Sequence, residues 1–428
     1  MPSIDERYLE LHPKSSVMSL EAEELFPDGV THDGRKSAPF RVYMDHGKGP
    51  RKWDIDGNEY IDFRTGHGSM ILGQANPAIV QAVQEQVAKG THLSASSELE
   101  VGWAKLVKDL VPSADKLRYV GSGTEAMMMT FRMARTYSGK TKIIKFDQAF
   151  HGWADGPFVG AANDNPNNGI PDGVRDTMIV LPYDIAEVER ALDNDDDIAA
   201  VVFQGNQVVN PTFIEQLRDL TASRDTILIF DEVVSGFRFS RGGCQGLYGI
   251  MPDLTGMAKI LAGGLPGGCV AGRADIVDTI AAGKIAHPGT FNANPLSAAA
   301  GTAALTLVKN EPIGERADAR AEQLKSGLND ILTKMEIPGC AYGVSSIVHM
   351  RLGLDHECDH VYCEAGAQAM MTMGSDSTAL LGRATVNEGI WGSPTSFILS
   401  ATHTEEDIDL ALEKYEKAMH ATRSEGAI

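Results

Sequence analysis

The sequence predicts an α/β protein, with a large three-layer α/β/α domain around a mainly parallel sheet and a small α+β domain after it. Three observations carry that expectation. Short apolar runs rich in β-branched residues recur at 117–120, 143–146, 177–181, 198–203 and 226–230. Patterns of helical period lie between several of them, at 125–137, 185–192 and 212–223. From about 311 the alternation gives way to helix and strand signals in no regular order. Strands separated by helices run parallel, because each crossover carries the chain back to the end of the sheet where it began.

Taken in order, residues 1–65 read as an N-terminal segment that packs on both domains. The first 50 are mixed, polar and proline-containing. Residues 51–63 alternate around Asp56-Gly57-Asn58, which predicts two short strands and a tight turn. The large domain is expected over 66–310. It opens with a helix at 77–89, marked by Ile79, Val80, Val83 and Val87. Within it, Asn163-Asp164-Asn165-Pro166-Asn167-Asn168-Gly169 is a loop and 193–197 an acidic turn. The small domain is expected over 311–428. It holds a helix at 315–335, strand-like pieces at 346–351 and 396–400, and a last helix. That helix opens on the capping pattern Thr404-Glu405-Glu406-Asp407 and carries Ile408, Ala411, Leu412 and Tyr415 on one face.

Composition narrows the function. The 428 residues are 43% apolar and 22% charged, enough to build a large core. Lys and Arg number 38 against 58 Asp and Glu, a formal charge of −20. Such a surface repels phosphate backbones and anionic lipid, so nucleic-acid and membrane partners are not expected. No apolar run is long enough to span a bilayer, and no secretory leader is expected from the first residues. Five cysteines, an odd and low number, argue against a disulfide framework and for the cytoplasm.

Four segments carry chemistry. In Tyr119-Val120-Gly121-Ser122-Gly123-Thr124-Glu125-Ala126 a strand turns into a helix through small and hydroxyl residues, which aims backbone N–H groups at an anion. In Ile227-Leu228-Ile229-Phe230-Asp231-Glu232 an apolar strand ends on two carboxylates. Ligands of open α/β sheets sit beyond such strand ends. A carboxylate there can hold a cation or a protonated ring nitrogen, whereas Glu232 reads as an exposed strand end. Lys259 lies in an apolar run ahead of Gly263-Gly264-Leu265-Pro266-Gly267-Gly268. Desolvation favours its neutral amine, the form Schiff-base chemistry requires. His287-Pro288-Gly289-Thr290-Phe291-Asn292-Ala293-Asn294-Pro295 is a polar turn before a helix of small residues. An anion cradle, a strand-end aspartate and a buried lysine together fit pyridoxal 5′-phosphate.

With these motifs in hand, the sequence resembles the class III, fold type I pyridoxal-phosphate aminotransferases, and among them the glutamate-1-semialdehyde 2,1-aminomutase branch. Trp53-Asp54-Ile55-Asp56-Gly57-Asn58, Gly121-Ser122-Gly123-Thr124-Glu125-Ala126, Phe150-His151-Gly152, Phe230-Asp231-Glu232-Val233, Lys259, Gly289-Thr290-Phe291-Asn292 and Ala401-Thr402-His403-Thr404 follow in family order. The resemblance implies an aminotransferase that moves an amino group from an amino acid or amine donor to a keto acid or aldehyde acceptor through a Lys259 Schiff base. It leaves open an aminomutase or a lyase on an amino-bearing substrate. It implies that Asp231 pairs with the cofactor's ring nitrogen and that Phe150 and Val233 flank the ring, with His151 a further cofactor contact. Ser122, Gly123 and Thr124 would take the phosphate. Thr290 would reach the cofactor of a neighbouring subunit, so a homodimer is expected with sites at the subunit interface.

Departures from the family bear on the substrate. Class III enzymes usually carry Glu-Pro after the strand at 198–203, where this chain has Gln204-Gly205. Gly66-His67-Gly68 stands where the aminomutase branch has a tryptophan, and Ser393-Pro394-Thr395-Ser396-Phe397-Ile398-Leu399-Ser400 lacks the branch's glutamate. His67 and Gln204 are therefore candidate substrate contacts. Arg35 aligns with the branch's carboxylate-binding arginine, and Arg41 is the competing candidate. His356, Cys358, His360 and Cys363 are the right residue types for metal ligation. Their spacing matches no standard finger, so the segment reads as an exposed loop and no metal is expected.

Overall fold

The computed structural model describes residues 2–207, 209–353, 358–363 and 374–428. The chain forms two compact units, the first Met1–Asn76 with Glu315–Ile428 and the second Pro77–Gly314. The boundaries expected near 65 and 310 thus lie at 76 and 314.

The N-terminal segment opens with two helices that its mixed composition does not reveal, Ile4–Leu11 and Pro13–Leu25. Ser3 and Glu6 cap the first by a reciprocal pair of hydrogen bonds. Contacts with distant sequence hold it in place. The Glu425 carboxylate accepts from the Ile4 N–H at 2.7 Å, and Asn387 donates to the Ile4 carbonyl at 2.8 Å. Three strands follow, β1 (Met44–Lys48), β2 (Arg51–Asp54) and β3 (Glu59–Asp62). As the alternation predicts, β2 and β3 form a hairpin. Asp54 closes its turn by accepting from the Asp56 and Asn58 N–H groups.

The second unit is built on a seven-stranded sheet. In chain order its strands are β4 (Lys116–Val120), β5 (Lys142–Phe146), β6 (Met178–Leu181), β7 (Ile198–Gln204), β8 (Ile227–Glu232), β9 (Leu254–Ala258) and β10 (Gly268–Gly272). In space they run 4-10-9-8-7-5-6. All neighbouring pairs are parallel except those of β10, which is antiparallel to β4 and β9. The five apolar runs read from the sequence are β4 to β8. The last two strands were not foreseen. Their segments are rich in glycine and alanine, so they lack the β-branched signal, and both are buried throughout. Met127, Phe131, Val202, Ile229 and Val270 belong to one core cluster of this sheet and the helix Gly123–Ser138.

Back in the first unit, β11 (Gly339–Tyr342), β12 (Ile347–Leu352) and β14 (Ser396–Ile398) form an antiparallel sheet. The short β13 (Ile390–Trp391) pairs parallel with β3, which ties the two ends of the chain into one unit. Phe63, Leu324, Val348, Phe397 and Tyr415 share its core. The last helix, Glu405–Ser424, carries the expected cap between Thr404 and Asp407. Among the described residues no helix is long and apolar enough to cross a membrane.

Candidate active site

In the 77–314 unit, register alone gathers the candidates. Gln204 pairs with Asp231, Asp231 with Gly256, and Gly268 with both Val120 and Ala258. The carboxyl ends of β4, β7, β8 and β9 therefore lie side by side, and each hands one candidate to the same edge.

At the end of β4 the chain turns into the helix Gly123–Ser138. The Ser122 hydroxyl caps that helix by accepting the Glu125 N–H at 3.2 Å, and the Glu125 carboxylate accepts the Gly121 N–H. The first helical N–H groups, Gly123 and Thr124, have no acceptor within the helix and sit at its positive end. Close backbone approach requires glycine beside them. A Cβ on Gly268 would lie 2.4 Å from the Ser122 carbonyl oxygen. A Cβ on Gly152 would lie 2.7 Å from the Thr124 hydroxyl, and its φ of +97° suits only glycine.

Asp231 ends β8 and is 4% exposed. Its Oδ1 accepts the Val233 N–H at 3.0 Å, and its Oδ2 lies 2.7 Å from His151 Nδ1. Burial pulls the His151 pKa down, against the pull of Asp231. A neutral imidazole donates from Nδ1, so neither contact brings a cation to the carboxylate. His151 Nε2 is buried with no hydrogen-bond partner among the described residues.

Glu232 is not an exposed strand end. It is 1% exposed, and its oxygens accept from the N–H groups of Cys244 at 2.8 Å and Gln245 at 3.0 Å and from the Ser235 hydroxyl. Side chains alternate along the strand, and this one enters the interior, where those donors offset its desolvation.

Lys259 follows the last residue of β9 and is half-buried, ahead of the buried Ile260, Leu261 and Ala262. Its φ is +57°, in the left-handed region that a lysine rarely adopts. Such backbone strain costs about 1–3 kcal/mol and gathers at functional sites. Phe150 is 51% exposed, and its N–H donates to Gln204 Oε1 at 3.2 Å. Gln204 therefore holds the loop that carries Phe150 and His151. Thr290 is exposed, and its carbonyl accepts from His92.

Lys145 was missed. It is fully buried in β5 and donates to the carbonyls of Ala149 at 2.8 Å and Pro157 at 2.9 Å. Desolvation pulls its pKa down to about 8. It clamps the loop around Phe150 and His151 from below. A lysine inside Ile143-Ile144-Lys145-Phe146 was the available signal.

Arg35 and His67 belong to the other unit, where both line a cavity of about 990 Å³. Other cations on its wall are matched to carboxylates: Arg41 to Glu23, Lys52 to Asp62 and Arg383 to Asp5. Arg41 also donates to Ser19 and to the Asp28 carbonyl, so it is spent on structure. Arg35 donates to the neutral Thr31 hydroxyl at 2.9 Å. Arg64, absent from the sequence reading, lines the same cavity. Burial pulls its pKa down despite Asp62, and its guanidinium makes no hydrogen bond among the described residues, although its backbone N–H donates to Asp62 Oδ1 at 3.0 Å. The His67 ring lies 4.9 Å from that of His32. His356 lies outside the described residues.

The family model described as "Aminotransferase class-III" matches residues 33–369. The chain belongs to the class-III aminotransferase family. It is a pyridoxal-phosphate-dependent enzyme, as the residues led us to expect. Among its relatives, "Glutamate-1-semialdehyde 2,1-aminomutase 2" of Brevibacillus brevis is 38% identical over 95% of this chain and 98% of that protein. Its fold is similar to that of an omega-transaminase from Sphaerobacter thermophilus, with a TM-score of 0.87 at 30% identity over 96% and 98% of the two chains. A glutamate-1-semialdehyde aminomutase from Pseudomonas aeruginosa shares the fold with a TM-score of 0.88 at 23% identity, over 97% and 96% of the chains. As a class-III site the edge is well matched to the cofactor. The helix N-terminus suits a phosphate, the Asp231 carboxylate suits a protonated ring nitrogen, and the Lys259 amine suits an aldehyde.

Proposed function

We propose that this class-III enzyme moves an amino group within one small carboxylate-bearing substrate, as an aminomutase of the glutamate-1-semialdehyde type. The observation that carries the reading is the likeness, over nearly the full chain, to aminomutases. When bound, pyridoxal phosphate supplies an aldehyde that takes up an amino group and a ring that stores electrons released at the substrate carbon. The chain supplies the rest. Gly123 and Thr124 N–H groups bind the phosphate with the Ser122 turn. Asp231 would hold a proton on the cofactor's ring nitrogen, and neutral His151 orients that carboxylate. Lys259 Nζ takes a proton from one carbon and returns it to another. Phe150 and Val233 would flank the ring.

A second reading, transfer between separate donor and acceptor molecules, has its own support. Gln204 and the acid-free stretch 393–400 depart from the aminomutase pattern at pocket positions, and the omega-transaminase shares the fold at 30% identity. One assay separates the two. The loaded enzyme is given glutamate 1-semialdehyde, and separately a panel of amino acids and amines with 2-oxoglutarate or pyruvate. The first reading expects 5-amino-4-oxopentanoate with no added acceptor. Amino transfer that depends on an acceptor would replace it with the second, and no product in either assay would sink both.

Arg35 and Arg64 are assigned to the substrate carboxylate, because neither guanidinium has a carboxylate hydrogen-bonded to it among the described residues, and the partly desolvated one of Arg64 gains most from an incoming anion. Hydrogen bonds to charged groups contribute about 1.5–3 kcal/mol. Arg35→Ala and Arg64→Ala should each raise KM for the carboxylate substrate about 10- to 100-fold and leave kcat within about threefold. An unchanged KM for every carboxylate tested would remove the assignment.

A homodimer completes the proposal, with Thr290 serving the cofactor of the second subunit. In support, Thr290 is exposed and the neighbouring Phe291 is 67% exposed. An exposed aromatic of this size suits a subunit contact. A sedimentation mass of a single chain would remove this part.

A further inference from the structure

The metal-like residues discounted in the sequence regain meaning through a residue that the linear pattern hides. Cys340 lies on β11 and is 2% exposed. Cys363 is 8% exposed and Cys358 half-buried. All three are thiols, and their sulfur atoms lie within 4.8 Å of one another. The Cys340 and Cys363 sulfurs are 4.0 Å apart.

That spacing is close to a metal's. Zinc–sulfur bonds of about 2.3 Å in a tetrahedron place sulfurs about 3.8 Å apart. The turn between Cys358 and Cys363 is ordered so that both reach the strand. The Asp359 carboxylate accepts the N–H groups of Val361 at 2.8 Å and Tyr362 at 2.6 Å, and the His360 carbonyl accepts the Gly343 N–H at 3.3 Å. Asp359, His360 and Val361 are exposed, so the half-buried Tyr362 is the turn's one apolar anchor besides the cysteines. His360 Nδ1 lies 3.2 Å from the Ala341 carbonyl, next to Cys340.

We propose that Cys340, Cys358 and Cys363 bind one zinc ion, which pins the 358–363 turn to β11. The step is ion exchange without redox change. Three thiols lose their protons to solvent, three sulfur–zinc bonds form, and water fills the fourth position. Three soft thiolate donors select zinc over magnesium or calcium. Burial and the neighbouring sulfurs raise the Cys340 pKa when no cation is present, and a bound dication reverses that balance. Three clustered thiols can also pack as small apolar groups or oxidise to a disulfide, and the experiment separates these outcomes.

The full-length holoenzyme, purified without chelator and dialysed, is analysed for metal. About one zinc per chain is expected. The reduced protein, stripped of metal, is then titrated with cobalt(II) under argon and read as difference spectra against the cofactor band. The expected result is a one-to-one endpoint, a thiolate-to-cobalt charge-transfer band of the strength of three thiolates, and displacement of cobalt by zinc. Cys358→Ser, the half-buried position, should lower that band by about a third and weaken cobalt binding at least about tenfold. The wild-type titration needs no variant to fold. No zinc together with no thiolate–cobalt band would overturn the proposal. So would a Cys340–Cys363 disulfide found by peptide mapping of freshly purified protein without reductant.

Discussion

Replacing Asp231 with asparagine should lower kcat by about 10²- to 10³-fold while the protein stays folded. The size follows from removing one preorganised electrostatic partner from a buried site. Asparagine keeps the shape, and its one carbonyl oxygen can accept from either His151 Nδ1 or the Val233 N–H, so one of the 2.7 Å and 3.0 Å contacts is kept and the other is lost with the charge. What disappears is the negative charge, and with it the hold on a proton at the cofactor nitrogen. The measurement is kcat for whichever substrate the assays above establish, together with cofactor content by absorbance. A variant within tenfold of wild type at full cofactor load would show that Asp231 does not carry this role.

Lys259→Ala should be more severe, at least about 10³-fold in kcat, because the variant loses both the covalent link to the aldehyde and the group that moves the proton. Borohydride treatment of wild type should attach the cofactor to the peptide containing Lys259, and the variant should give no such adduct. Alanine inherits the same +57° φ, so the backbone strain is unchanged and thermal unfolding should move little. Lys145 provides the control for specificity. It too is a lysine in an apolar run, but its ammonium is engaged by two carbonyls. An adduct on Lys145 instead of Lys259 would overturn the assignment.

Much of this candidate site can be read from the sequence because its motifs are local. A helix N-terminus needs a small turn and a cap, and Gly121-Ser122-Gly123-Thr124-Glu125 spells both within five residues. A strand-end carboxylate needs an apolar run that stops, and Phe230-Asp231 shows it. Glu232 was misread because a strand end does not state which face is open. Only the Cys244 and Gln245 N–H groups packed beneath it decide that. Arg41 and Arg35 look alike on the line, and only their partners separate a structural arginine from one available to an anion.

The sequence alone was enough for the fold class and the pyridoxal-phosphate chemistry, and it named Ser122, Asp231 and Lys259 as candidates, since each rests on a motif read within a few neighbours. Only the tertiary structure decided what depends on distant partners. It added β10 between β4 and β9, joined β3 to β13, set His151 against Asp231, brought Arg64 to the wall with Arg35, and gathered Cys340 with Cys358 and Cys363. The physical reason is the same in each case. Turns, caps and periodicities act over a few residues, whereas pairing, burial and sulfur clustering depend on segments whose separation in the chain says nothing of their distance in space.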